Sequence, residues 1–161
     1  MKGIIAVDSY YGNTMRIAEA FAEQIRSEGH EVKLINLHEK VEIPSGGDFI
    51  LVGSPTRMAR MTRRAKKFVR KLDISVWEGK PIAAFDTKSP LPTDPKELEE
   101  AKKWIVDGAG PKLQRMIKER GLNPYPEVLR YTVTNVKGPL ADGSIEAAKK
   151  QAHDFIASMK R

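Results

Sequence analysis

Short apolar runs alternate along this chain with segments of helical period, and that alternation constrains the fold more than any other feature. Gly3-Ile4-Ile5-Ala6-Val7 is apolar throughout. A strand with one face in water alternates, so an unbroken run reads as a strand buried on both faces. Residues 13 to 28 then place Ile17, Ala18, Phe21, Ala22 and Ile25 on one helical stripe, which Gly29 ends. Val32 to Asn36 is a second, more polar strand, and Phe49 to Val52 a third, apolar one. After it, Met61, Ala65, Phe68, Val69 and Leu72 recur at helical spacing. Pro81 to Phe85 is the fourth strand. The simple alternation then lapses. Residues 89 to 95 are Pro-rich, residues 96 to 106 read as an extra helix, and Pro111 can open the helix that runs to Gly121. Residues 127 to 135 alternate Leu129, Tyr131 and Val133 with Arg130, Thr132 and Thr134, and a helix from Ile145 to Met159 closes the chain.

Repeated strand–helix units imply a doubly wound α/β domain, a five-stranded parallel sheet with helices on both faces. Strands one, three and four are apolar throughout and belong in the centre. Strands two and five carry polar residues and belong at the edges, which the order 2-1-3-4-5 satisfies. The 161 residues suit one domain spanning 1–161, with no linker visible. Cysteine is absent, which excludes disulfides, thiolate metal sites and cysteine nucleophiles. The three histidines lie far apart without metal-ligand spacing and read as surface or packing residues. No leader pattern or membrane-length apolar run is visible, so the expected location is the cytoplasm.

In such a sheet, ligands bind at the carboxyl ends of strands where the strand order reverses, here between strands one and three. Two loops meet there. The first, Asp8-Ser9-Tyr10-Tyr11-Gly12-Asn13-Thr14, leads into a helix. Free amides and the helix dipole favour an anion at such a point. Ser9, Asn13 and Thr14 add side-chain donors, and Gly12 permits close backbone approach. Its bland reading is a strand-to-helix turn with a hydroxyl cap. The second loop is Ser54-Pro55-Thr56-Arg57-Met58, where Pro55 alone would merely end a strand. Phe85-Asp86-Thr87-Lys88-Ser89 forms a third loop beside them, although Asp8 and Asp86 at strand ends commonly just cap turns.

The segment IIAVDSYYGNTMRIAEA resembles the flavodoxin phosphate loop, with Ser9, Gly12, Thr14 and Ala18 in matching places and Tyr11 departing from the small hydroxyl residue common there. GSPTRMARM at residues 53 to 61 is similar to a loop of the NAD(P)H:quinone oxidoreductases of the tryptophan-repressor-binding-protein type. Pro55, Thr56, Arg57 and Met61 match, while Met58 replaces Phe and Ala59 replaces Gly. The resemblance implies a flavodoxin-like fold and FMN as cofactor. It implies that Ser9, Tyr10, Tyr11, Gly12, Asn13 and Thr14 hold the phosphate. Ser54, Pro55, Thr56, Arg57, Met58, Asp86, Thr87 and Lys88 would flank the ring. The third loop lacks the aromatic residue that stacks on the ring in ordinary flavodoxins, and the insertion at residues 89 to 110 matches neither group.

The net charge is +7, and residues 57 to 71 alone contain eight cations and no acid. The bland reading is the solvated face of an amphipathic helix. The functional reading is a positive rim on the flavin site, which attracts an acidic redox partner protein or an anionic small substrate and favours an anionic reduced flavin. Nucleic acid is disfavoured, since the one aromatic of the window, Phe68, falls on its buried stripe. Three functions follow. The first is an FMN-binding electron-transfer protein. The second is an NAD(P)H-dependent quinone or flavin reductase using the same FMN. The third is a flavin-free domain that docks an acidic partner through its basic helix.

Overall fold

The computed structural model describes residues 1–160. Strand β1 (Lys2–Val7) enters the centre of a parallel sheet and is followed by helix α1 (Asn13–Ser27) and strand β2 (Glu31–Asn36). Strand β3 (Phe49–Pro55), helix α2 (Arg63–Lys71), the short helix α3 (Ile74–Trp77) and strand β4 (Pro81–Lys88) come next. Helix α4 (Pro95–Ala101) runs into a π-helical turn (Lys102–Val106), then helix α5 (Ala109–Glu119), strands β5 (Asn123–Pro124) and β6 (Leu129–Thr132), and helix α6 (Ser144–Ser158).

The sheet follows the order β2-β1-β3-β4, and both β5 and β6 pair with the outer edge of β4. All pairings are parallel. The expected order holds, with a correction to the expected five strands: the fifth position is divided, making six. Asn123 and Pro124 pair with Pro81 and Ile82, and Leu129 to Thr132 pair with Phe85 to Lys88. Pro124 and Pro126 have no N–H to donate to a ladder, so continuous pairing lapses between them and Leu129.

Each central strand feeds two cores, as period two requires. Ile5 and Val7 face one core with Phe21 of α1 and Phe155 of α6. Ile4 and Ala6 face the other with Phe68 of α2, Ile117 of α5 and Trp77, which is fully buried. Two glycines let aromatic rings lie across neighbouring strands. A Cβ at Gly3 would sit 2.0 Å from the Phe49 ring and one at Gly53 2.2 Å from the Phe85 ring. The charged faces of α2 stay exposed while Ala65, Phe68 and Val69 are buried, as the helical spacing predicts. No described helix is long and apolar enough to cross a membrane.

Candidate functional site

The site is built at the carboxyl ends of β1, β3 and β4. Where β1 stops, Asp8 donates its amide to the Gly53 carbonyl (3.0 Å), so the first loop starts from the end of β3 as well. The Ser9 hydroxyl oxygen folds the loop by accepting from the amides of Gly12 (3.1 Å) and Met15 (3.3 Å). Gly12 adopts φ 90°, a left-handed conformation that glycine enters without Cβ strain. α1 starts at Asn13, and the Gly12 carbonyl accepts from the Arg16 amide (3.0 Å). The amides of Tyr11, Asn13 and Thr14 find no acceptor among the described residues. Thr14 shares a 2.8 Å hydrogen bond with the Thr87 hydroxyl, tying the loop to the end of β4.

These amides border a cleft of about 310 Å³, within the range of small-molecule sites. Ser9, Tyr10, Tyr11, Asn13 and Thr14 line it from the first loop, Pro55 to Met58 from the second, and Thr87, Lys88 and Ser89 from the end of β4 and just beyond. Tyr10 and Tyr11 are about half exposed, and Met58 is 79% exposed. The Arg57 guanidinium stacks 4.0 Å from the centre of the Tyr10 ring. Burial pushes the pKa of the Lys88 ammonium below its ordinary value, repulsion from Arg130 adds to this, and Asp86 opposes it.

Arg57 and Arg60 close a two-residue hairpin, each donating its amide to the other's carbonyl at 2.9 Å. Its tip, Met58 and Ala59, holds φ 50° and 64°. That left-handed pair suits Asn-Gly and strains other residues. The Lys112 ammonium donates to the Ala59 carbonyl and braces the tip.

Three expected site residues do not line the cleft. Gly12 is the turn residue that leads into α1. Ser54 is buried, donating to the Pro55 carbonyl (2.8 Å) and accepting from the Thr62 amide (2.9 Å), so it anchors the start of α2. Asp86 is a correction of a different kind. Residues 85 to 88 are not loop but the end of β4, and the Asp86 carboxylate is wholly buried. It accepts from Arg130 Nε (3.0 Å) and Nη2 (3.0 Å), from the Thr56 hydroxyl (2.9 Å) and from the Gly110 amide at the head of α5 (2.9 Å). Arg130 also donates to the carbonyls of Ile105 (2.7 Å) and Val106 (2.6 Å). The pair therefore pins the end of the 89–110 insertion to the sheet.

Sequence reasoning missed Val133 and Val136, which line the cleft from the segment after β6. It read His38 as a surface or packing residue without naming what it packs on. In the fold His38 Nδ1 contacts the fully buried Asp8 carboxylate, and its ring stands edge-on to Tyr10 at 5.1 Å. Nothing local in the sequence signals either contact.

The chain matches the family model described as Flavodoxin domain over residues 4–124. No curated protein matches it. Among solved structures it is similar to a flavodoxin from the domain Archaea (24% identity, TM-score 0.72, all of both chains covered). It is also similar to oxidised Flavodoxin 1 from Bacillus cereus (21% identity, TM-score 0.75, 99% of this chain and 100% of that one). A third likeness is to rubredoxin oxygen:oxidoreductase from Desulfovibrio gigas, at 22% identity and TM-score 0.73, covering 99% of this chain but 36% of that one. At these identities the solved structures speak for the fold, and the family model, which spans most of the chain, decides the family. The chain belongs to the flavodoxin domain family.

Proposed function

We propose that this chain binds FMN in the cleft at the head of α1 and passes electrons to an acidic redox protein or an anionic small substrate. The observation that carries the reading is the set of unpaired amides at Tyr11, Asn13 and Thr14, opening into a cleft with an aromatic and aliphatic wall. A phosphate ester requires several donors converging on one point, and a helix N-terminus adds its dipole. The donor set fits: no carboxylate is among the described residues that line the cleft, and the side chains of Asn13 and Thr14 stand beside the amides. The slot also fits a flat ring. Tyr11, Met58 and Val136 offer apolar faces, while Thr56, Arg57 and Lys88 offer polar groups.

Bound FMN supplies one- and two-electron chemistry. The chain's own residues bind, orient and tune it. The first-loop amides fix the phosphate end, Tyr10 is held in place by Arg57 and His38, and Arg57 and Lys88 bring positive charge to the ring end. Positive charge there stabilises an anionic reduced ring. The two-electron reduction potential is therefore expected above that of flavodoxins whose flavin is ringed by acids. A potentiometric titration giving a potential as low as theirs would contradict this.

The family assignment and the whole-chain likeness to flavodoxins support the reading at the level of fold. The test is a titration of the flavin-free chain with FMN, followed by flavin fluorescence. Saturable quenching at one flavin per chain is expected. A chain that leaves FMN fluorescence unchanged retains the fold and loses the function.

A further inference from the structure

A second cleft opens beside the first, sharing Tyr10, Arg57 and Met58 with it. Its volume is about 940 Å³. Much of its lining is cationic, with Arg60, Arg63, Arg64 and Lys66 among the residues that border it. None of these four side chains forms an ion pair or a hydrogen bond among the described residues, and no acid is among the described residues that line the cleft. The hollow also lies at the start of α2, where Thr62 and Arg63 line it and the helix dipole is positive. The same cleft has apolar lining: Trp104, 53% exposed, borders it together with Met58 and Met61. Its position is not free to drift: Trp104 sits in the π-helical turn whose last two carbonyls are held by Arg130.

Four unpaired cations around one hollow repel each other, and an anion entering the hollow relieves that repulsion. A flat acidic protein face would use the cations but leave the indole without a stacking partner. A single nucleic-acid strand stacks successive bases on several aromatic side chains. Trp104 is the one indole on this wall, and the Tyr10 ring is already covered by Arg57.

From this arrangement we propose that the second cleft is a binding site for a phosphorylated purine nucleotide, its base on Trp104 and its phosphates among Arg60, Arg63 and Arg64. The site goes beyond the flavin reading, since it exists whether or not the first cleft is filled. The chemistry is shared by free nucleoside polyphosphates and by dinucleotides. A dinucleotide has a second half that reaches toward the first cleft past Tyr10 and Met58, whereas a mononucleotide ends in the second.

The test uses the full chain loaded with FMN, titrated separately with ATP, NADPH, inorganic tripolyphosphate and a short single-stranded oligonucleotide. Binding is read by Trp104 emission, by calorimetry and by the flavin spectrum. ATP and NADPH are expected to saturate, with tripolyphosphate at least about tenfold weaker because the base contact is lost. An NADPH affinity at least about tenfold above that of ATP assigns the site to dinucleotides, and the reverse to free nucleotides, both within the proposal. Arg63→Gln with Arg64→Gln is expected to raise the Kd for both by about tenfold or more while the flavin spectrum stays unchanged. Trp104→Leu is expected to weaken ATP and leave tripolyphosphate unaffected. The proposal is overturned if neither nucleotide binds, if both sets of variants bind as tightly as the parent, if the nucleotide displaces FMN, or if the oligonucleotide binds at least about tenfold more tightly than either. A chain that takes up no FMN defeats the flavin reading alone, and the same titrations on that flavin-free chain then decide the second cleft.

Discussion

Asp8 carries a fully buried carboxylate whose contact is the His38 imidazole, and neither of its oxygens accepts a hydrogen bond from any other described group. Removing the imidazole leaves a buried acid without a partner. His38→Ala is therefore expected to cost about 1–3 kcal/mol in chemical denaturation. An unchanged midpoint would mean that the pair carries no stability. Met58 presents the opposite case, a residue strained by its place in the hairpin tip. Asparagine tolerates the left-handed conformation that methionine resists. Met58→Asn is thus expected to stabilise the flavin-free chain by about 1 kcal/mol and to weaken FMN binding by removing an apolar face. Tyr131 links burial to pH. Burial raises its phenol pKa well above the ordinary value of 10.0, with repulsion from Glu127 adding to the shift. The folded state then holds a proton that the unfolded chain releases above pH 10, so stability is full below that pH and falls as the pH rises beyond it. Tyr131→Phe should flatten that alkaline decline in a series of denaturation curves.

At the scale of elements, one ion pair organises the outer half of the site. Arg130 of β6 holds Asp86 of β4 and the last carbonyls of the π-helical turn at once. Arg130→Met leaves Asp86 buried and uncompensated, and is expected to cost about 3–5 kcal/mol. Adding Asp86→Asn should recover part of that loss. The same cluster explains what could be read from the sequence and what could not. β1, β3 and the start of β4 announce themselves as unbroken apolar runs, because two packed faces demand them. The stripe of Ile17, Phe21 and Ile25 announces α1 in the same way. The end of β4 does not, because Asp86 and Thr87 look like loop residues until Arg130, 44 positions away in sequence, supplies the partner. The turn of the first loop is legible because it is local, a strand end, a glycine and a helix start within seven residues. Val133, Val136 and His38 reach the site only through tertiary packing, and no local pattern marks them.

For the molecule as a whole, charge is distributed unevenly in a way that matters for encounter. The net charge of +7 is concentrated on α2 and the hairpin before it, next to both clefts, while the rest of the chain is nearly neutral. Such a field speeds association with anions and is screened by salt over about 8–10 Å at physiological ionic strength. Reduction of an acidic redox protein by the flavin-loaded chain is therefore expected to slow steeply as salt is raised from low to physiological strength. A rate independent of salt would place the electron exit away from this face. Beneath the field lies the sheet-end architecture itself, in which the head of α1 offers amides that no acceptor among the described residues fills. The most direct measurement is a comparison of the affinities of FMN and riboflavin for the flavin-free chain. If those amides hold the phosphate, FMN binds at least about a hundredfold more tightly. Equal affinities would show that the amides grip nothing and that the ring alone, if anything, is bound.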